Sequence, residues 1–187
     1  MKKSIGAGAY AVPSPVWIVG TYDDKGTPNM MTAAWCGICC SKPPCIYVSL
    51  RKATYSYGNI MKRKAYTVNI PGETYWKEAD YVGCISGRDT DKFKDTKLNS
   101  IRSDLIDAPY IAEFPLILEC KVKEIVELGL HTMFVGEILD TKIDEEMLTD
   151  DKPDINKIKP IIFDMARRGY SGVGERIGDA FGTRSLS

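Results

Sequence analysis

The stretch Val16-Trp17-Ile18-Val19-Gly20-Thr21-Tyr22-Asp23-Asp24-Lys25-Gly26-Thr27-Pro28-Asn29-Met30-Met31-Thr32-Ala33-Ala34-Trp35 reads as a β-hairpin. Val16 to Tyr22 is rich in strand formers. Asp23-Asp24-Lys25-Gly26 is a turn in which glycine supplies the permissive backbone. Thr27 to Trp35 then runs back antiparallel.

Working outward, Pro13-Ser14-Pro15 fixes an extended entry to the hairpin. Downstream, Lys42-Pro43-Pro44 interrupts pairing because proline donates no amide, and Cys45 to Leu50 forms a third strand. Thr54 is placed to cap a helix running through Met61 or Lys64, with basic Lys62-Arg63-Lys64 suiting its C-terminal end. Ala65 to Ile70 is a fourth strand, stopped by Pro71-Gly72. Thr74 to Gly83 reads as a second helix with Glu73 near its start, and Asp89 to Lys94 as a short third one. Leu116, Leu118, Cys120 and Val122 alternate with Ile117, Glu119, Lys121 and Lys123, the period-two pattern of a half-buried strand. A phase slip at Glu124-Ile125-Val126 indicates a bulge. His131 to Leu139 is the next strand, apolar on both faces in its middle. Asp144 to Lys159 is a charged, exposed excursion, and Pro160-Ile161-Ile162-Phe163 a short last strand.

Many strands, few helices and mostly short connections predict a mainly β fold, an antiparallel β-barrel with a few helices. The 187 residues fit one domain, 1–187, with a core of about 10–165 and an irregular Gly-rich arm over 166–187. Lys plus Arg and Asp plus Glu each number 25, so no basic excess points to nucleic acid. The start, Met1-Lys2-Lys3-Ser4-Ile5-Gly6-Ala7-Gly8, lacks the apolar run of a secretory signal. No stretch approaches the roughly 20 apolar residues of a membrane helix. The expected location is the cytoplasm, with no membrane partner.

The chemistry concentrates in three places. Thr32 to Trp35 offers backbone amides and carbonyls at a strand end, with Ala33 and Ala34 small enough for close approach by a flat ligand. Arg51, Thr54 and Ser56 offer a guanidinium and two hydroxyls at a helix start, a set that suits a phosphate. Ser86-Gly87-Arg88-Asp89-Thr90-Asp91-Lys92-Phe93 is a glycine turn leading into a charged helix start. His131 is the only histidine, Asn69 stands two residues before Pro71, and Gly172, Gly174 and Gly178 do not form a dinucleotide fingerprint. The six cysteines suggest no disulfide framework in a chain this long. Cys36-x-x-Cys39-Cys40-x-x-x-x-Cys45 matches neither a zinc ribbon nor a ferredoxin run, so no metal is expected. A thiol near the ligand, with Cys36 the candidate, stays open.

These segments, in this order from Trp17 to about Gly178, resemble the flavin reductase-like family of FMN-binding split barrels, and its flavoredoxin branch most closely. The resemblance implies a Greek-key split barrel that binds FMN noncovalently, in a homodimer with each flavin near the subunit interface. It carries cofactor binding to Asn29, Met31, Thr32, Ala33, Ala34, Trp35, Ser49, Arg51, Thr54, Tyr55, Ser56, Asn69, Ser86, Gly87, Arg88, Lys92 and His131. Lys92 would stand near the pyrimidine end of the ring and, with His131, tune the flavin. The family's tail also carries a tyrosine followed by glycines, here Tyr170, Gly172 and Gly174. The cysteines depart from the family pattern. Three functions follow as expectations: an FMN-dependent electron-transfer oxidoreductase with a redox-protein partner; an NADH- or NADPH-dependent flavin reductase with FMN as exchangeable substrate; and a non-catalytic flavin-binding or thiol redox-sensing protein.

Overall fold

The hairpin is present with the predicted partners: Trp17 faces Ala33 and Tyr22 faces Pro28. The computed structural model describes residues 1–178 and 180–181. In chain order the strands are β1 (Ser14–Pro15), β2 (Trp17–Tyr22), β3 (Pro28–Ala33), β4 (Cys36–Ser41), β5 (Pro44–Arg51), β6 (Ala65–Ile70), β7 (Ser100–Arg102), β8 (Pro109–Ile111), β9 (Leu116–Leu128), β10 (His131–Ile143), β11 (Leu148–Thr149), β12 (Lys152–Pro153), β13 (Ile162–Asp164) and β14 (Gly169–Ser171). The helices are α1 (Tyr55–Arg63), α2 (Trp76–Cys84), α3 (Lys92–Thr96) and α4 (Ile155–Ile158).

Seven strands form one antiparallel sheet in the order β3-β2-β6-β9-β10-β5-β4. Its two edge strands, β3 and β4, are consecutive in the chain and joined only by Ala34-Trp35. The sheet must therefore curl until its edges meet at that link. Among the described residues no ladder joins β3 to β4, so the barrel is closed by a covalent link and left open in hydrogen bonding. This is a split barrel, mainly β as expected.

The curl creates two apolar layers. Inside lie Val19, Val48, Tyr66, Val68, Cys120 and Phe134. Outside, α2 and α3 cover the β2–β3 face through Ile18, Met30, Ala79, Val82 and Phe93, together with Ile111, Phe114 and Ile117. The second layer explains a departure from the half-buried pattern expected of β9. Ile117 and Glu119 are both buried, and Glu119 is paired at 3.0 Å with Lys142 Nζ. Close packing also fixes Gly20: a Cβ there would stand 2.3 Å from the Pro109 carbonyl oxygen and 2.4 Å from Thr67 Oγ1, too near for β8 to lie against β2.

Several expectations are displaced by tertiary pairing. β4 occupies the cysteine-rich segment that carried no strand signal. The expected bulge falls at Lys123, skipped between the Val135–Glu124 and Gly136–Val122 pairs, with a second irregularity at Leu139. α3 starts at Lys92 rather than Asp89, because the Asp91 side chain caps it by accepting from the Lys94 amide. The excursion after Asp144 folds into the β11–β12 hairpin and α4, which buries Ile158 against the barrel core. The arm expected from 166 onward contains β14, paired with β13. Residues 172–178 have no regular structure, and residues 179 and 182–187 of that arm lie outside the described residues.

Candidate functional site

A cleft runs along the corner where the sheet edges meet. Its first part, a cavity of about 280 Å³, is lined by Asn29, Met31, Arg51, Ala53, Thr54, Tyr55, Ser56, Val82 to Gly87 and Lys92. Its second part, about 270 Å³, is lined by Thr32 to Trp35, Ser49 to Arg51, Asp80, His131, Phe163 and Tyr170 among others. The two share Met31, Arg51, Thr54, Gly83 and Cys84, which makes them one elongated groove. Each part alone is at the small end of ligand sites, roughly 300–1,000 Å³.

The first part is polar and organised around the start of α1. Thr54 is the N-cap: its Oγ1 accepts from the Tyr57 amide at 3.4 Å and donates to the Arg51 carbonyl at 2.9 Å. The amides of Tyr55 and Ser56 in the first turn have no partner within the helix and carry the positive end of its dipole. Arg51, the last residue of β5, is exposed beside them. Ser56 is buried and accepts from Asn29 Nδ2 at 2.9 Å. Asn29 Oδ1 is a buried acceptor that receives no hydrogen bond in the structure. Such an atom is costly unless a ligand donor reaches it. Gly87 closes the wall: a Cβ there would lie 2.0 Å from Asn29 Oδ1 and 2.9 Å from Tyr55 Cδ1. Arg88 folds over Tyr55, 5.2 Å from its ring centroid, and donates to the Ala53 carbonyl at 3.0 Å.

The second part is aromatic. Trp35 is exposed at the link between the edges, and its ring stacks on His131 with centroids 5.9 Å apart and planes 11° from parallel. His131 faces Arg51 across the β5–β10 ladder, so the strand that ends at the polar part also holds the aromatic wall. Thr32 Oγ1 donates to the Ala79 carbonyl of α2, which ties the helix to β3 at this corner.

Most of the residues singled out in the sequence converge on the groove; Arg88 lies against Tyr55 outside both linings, and three further differences follow. Asn69 does not reach it. The side chain is fully buried, donates to the Ile18 carbonyl and Thr67 Oγ1 at 2.9 Å each, and accepts from the Ile111 amide at 2.8 Å. Its amide stitches the barrel to β8. Lys92 lines the polar part of the groove and not the aromatic part. Its ammonium is buried and donates to the Met30 carbonyl at 2.9 Å and the Val82 carbonyl at 2.7 Å, and burial lowers its pKa to about 8. Cys36 points into the barrel core, where its thiol donates to the Ala33 carbonyl at 3.4 Å. The thiol that lines the groove is Cys84. Asp80 and Tyr170 also line it; Asp80 carried no local signal, and Tyr170 carried only its place in the tail pattern. They come together only because β14 returns beside α2. The Tyr170 hydroxyl donates to Asp80 Oδ1 at 2.9 Å, and burial together with the Asp80 carboxylate raises the phenol's pKa.

The match to known proteins agrees with this layout. Residues 9–170 match the family model described as a flavin reductase like domain. A flavoredoxin of Desulfovibrio vulgaris (Miyazaki F) is 50% identical, with a TM-score of 0.93 over 97% of this chain and 98% of that one. A flavoredoxin from Methanosarcina acetivorans is 32% identical, with a TM-score of 0.91 over 98% and 97% of the two chains. The reductase component of a 4-nitrophenol 4-monooxygenase/4-nitrocatechol 2-monooxygenase from Rhodococcus opacus is 29% identical over 129 residues, 69% of this chain and 65% of that protein.

Proposed function

Because the chain belongs to the flavin reductase-like family, we propose that the groove holds FMN noncovalently and that the protein is an electron-transfer oxidoreductase of the flavoredoxin kind. The observation that carries this reading is the continuity of the groove: a phosphate-suited helix start at one end, an unsatisfied acceptor midway, and a stacked aromatic wall at the other. Arg51, Thr54, Ser56 and the first-turn amides of α1 would hold the phosphate. Asn29 Oδ1, lacking a donor, suits a ribityl hydroxyl. Ala33, Ala34 and Trp35 would flank the ring, with backbone groups at the unpaired barrel edge meeting its polar rim. When bound, the flavin supplies the redox chemistry. The residues bind it, orient it and set the polarity around it: His131 lies on the ring side, while Lys92 acts from the polar end by fixing β3 against α2.

A second reading is an NADH- or NADPH-dependent flavin reductase with FMN as exchangeable substrate. A further cavity of about 620 Å³, lined by Trp76, Arg168, Asp80 and Tyr170, favours it. Asp80 and Tyr170 belong to both spaces, so a second substrate has room beside the ring end.

The visible spectrum of the purified protein tests the shared premise. Oxidised flavin bands that survive extensive dialysis are the expected result. NADH or NADPH added without air should then leave them unchanged while a reduced redox protein bleaches them. Rapid bleaching by either nucleotide with loss of FMN on dialysis establishes the reductase reading instead. Failure to bind added FMN overturns both. Among the described residues no helix is long and apolar enough to cross a membrane, and a cytoplasmic setting is part of the proposal. So is a homodimer, for which the open edge of β4 and exposed Ile38, Leu128 and Leu130 offer a surface. Sedimentation at micromolar concentration should give twice the 20.8 kDa chain mass, and a monomer at that concentration contradicts it.

A further inference from the structure

The six cysteines divide by surroundings. Cys36 and Cys120 belong to the barrel core, and burial pushes both thiols far above the usual range. Cys84 stands in the groove. Cys39, Cys40 and Cys45 gather at the far end of the β4–β5 hairpin, and none of them lines the groove.

The ladder sorts these three. Cys40 is directly opposite Cys45, and Ser41 opposite Pro44 closes the Lys42-Pro43 turn. Opposed residues of an antiparallel pair project to the same face with Cα atoms about 4.5–5.5 Å apart. That span lies inside the roughly 4.4–6.8 Å of disulfide-bonded cysteines. The register shift between Ile38 and Cys40 makes Cys39 the extra residue of a bulge, without a partner across the ladder. Cys40 is exposed, whereas Cys45 is 3% exposed. An open thiol thus faces a sheltered one. Burial raises the pKa of the Cys45 thiol, and the nearby Lys123 ammonium, itself paired with Glu137 Oε2 at 3.0 Å, opposes that rise only in part. Among the described residues no three His, Cys, Asp or Glu side chains converge as a metal would require.

We propose that Cys40 and Cys45 form a dithiol site that exchanges with small-molecule disulfides and closes to a disulfide across the β4–β5 hairpin. The Cys40 thiolate attacks one sulfur of the small disulfide, forming a mixed disulfide and releasing one thiolate. The Cys45 thiolate then attacks the Cys40 sulfur and releases the second. Both protein thiols are oxidised, the small disulfide is reduced to two thiols, and the two protons from the cysteines end on them. The exposed sulfur is the one a bulky disulfide can reach, and the sheltered one resolves. The site is independent of flavin binding.

The test uses the full chain, reduced, desalted and incubated without air with oxidised glutathione. Remaining thiols are then alkylated and the peptides mapped by mass spectrometry. The expected result is a Cys40–Cys45 cross-link with neither residue carrying glutathione, reversed by dithiothreitol. Cys45→Ser should leave glutathione trapped on Cys40, and Cys39→Ser should cross-link as the parent does. Wild-type protein in which Cys40 retains glutathione while Cys45 alkylates, in which Cys45 bridges to Cys39, or in which Cys40 and Cys45 both stay alkylatable would overturn the proposal.

Discussion

Arg51→Ala is expected to weaken FMN binding about 10- to 100-fold while leaving riboflavin binding unchanged. A hydrogen bond to a charged group contributes roughly 1.5–3 kcal/mol, and each 1.4 kcal/mol is a factor of about ten in affinity. Arg51 ends β5 beside the cap of α1 and is exposed, so its removal should move stability by no more than about 0.5 kcal/mol. The loss then belongs to the phosphate. Titration of flavin fluorescence with both ligands reads it directly, and equal losses for FMN and riboflavin would remove Arg51 from the phosphate site.

Lys92→Met should destabilise the protein by roughly 2–4 kcal/mol with or without ligand. The variant keeps the length of the side chain and removes its donors, leaving the Met30 and Val82 carbonyls without a partner there at about 1–3 kcal/mol each. Val82 lies in the last turn of α2, whose carbonyls lack helical partners, and Met30 lies on the edge strand β3. The ammonium thus ties a helix end to a sheet edge, and groove residues on both sides depend on it. The pH dependence has a defined sign. Burial lowers the folded pKa to about 8, against about 10.4 in an unfolded chain. Between those values the unfolded state holds a proton that the folded state has released, so this group's contribution to stability rises with pH across the window. Below about 8 the full cost of burying the ammonium is present. Denaturant unfolding at pH 7.5 and 10 should therefore show wild type gaining on Lys92→Met at the higher pH. A gap that narrows or stays constant contradicts the assignment.

The sequence revealed what local chemistry decides. The β2–β3 hairpin, the strands from Cys45 and Ala65, and the Thr54 cap are written in strand formers, a glycine turn and a hydroxyl at a helix start. Arg51, Thr54, Ser56 and Trp35 converge because they sit at the ends of those same elements. β4, β7, β8 and β14 were not legible, although each pairs with the strand next to it in the chain: β7, β8 and β14 have three residues each, and β4 is a cysteine-rich run interrupted by a bulge, so none displays a period-two pattern long enough to read. Asp80 and Tyr170 were not legible as groove residues, Tyr170 standing only in the tail pattern, because residues 90 positions apart meet only once the last strand is in place. Asn69 misled in the opposite sense. A polar residue beside a proline turn looks available, but here the barrel wall takes both of its N–H donors and its oxygen accepts from β8. Lys92 was legible as a groove residue but its anchoring was not, since its ammonium answers to two carbonyls that no local pattern displays.

The two-residue link between β3 and β4 leaves a seam. Along a seam, backbone donors and acceptors that neighbouring strands would otherwise satisfy face outward, as at any sheet edge. A flat ligand with a hydrogen-bonding rim, laid there in the proposed pose, substitutes for the missing rung of the ladder. Binding and barrel closure are then the same event seen from two sides: what holds the ligand also stitches the cylinder. The barrel should accordingly resist unfolding more with each rise of free ligand above its Kd, even after the site is full, and a longer Ala34-Trp35 link is expected to open the seam and weaken ligand binding together.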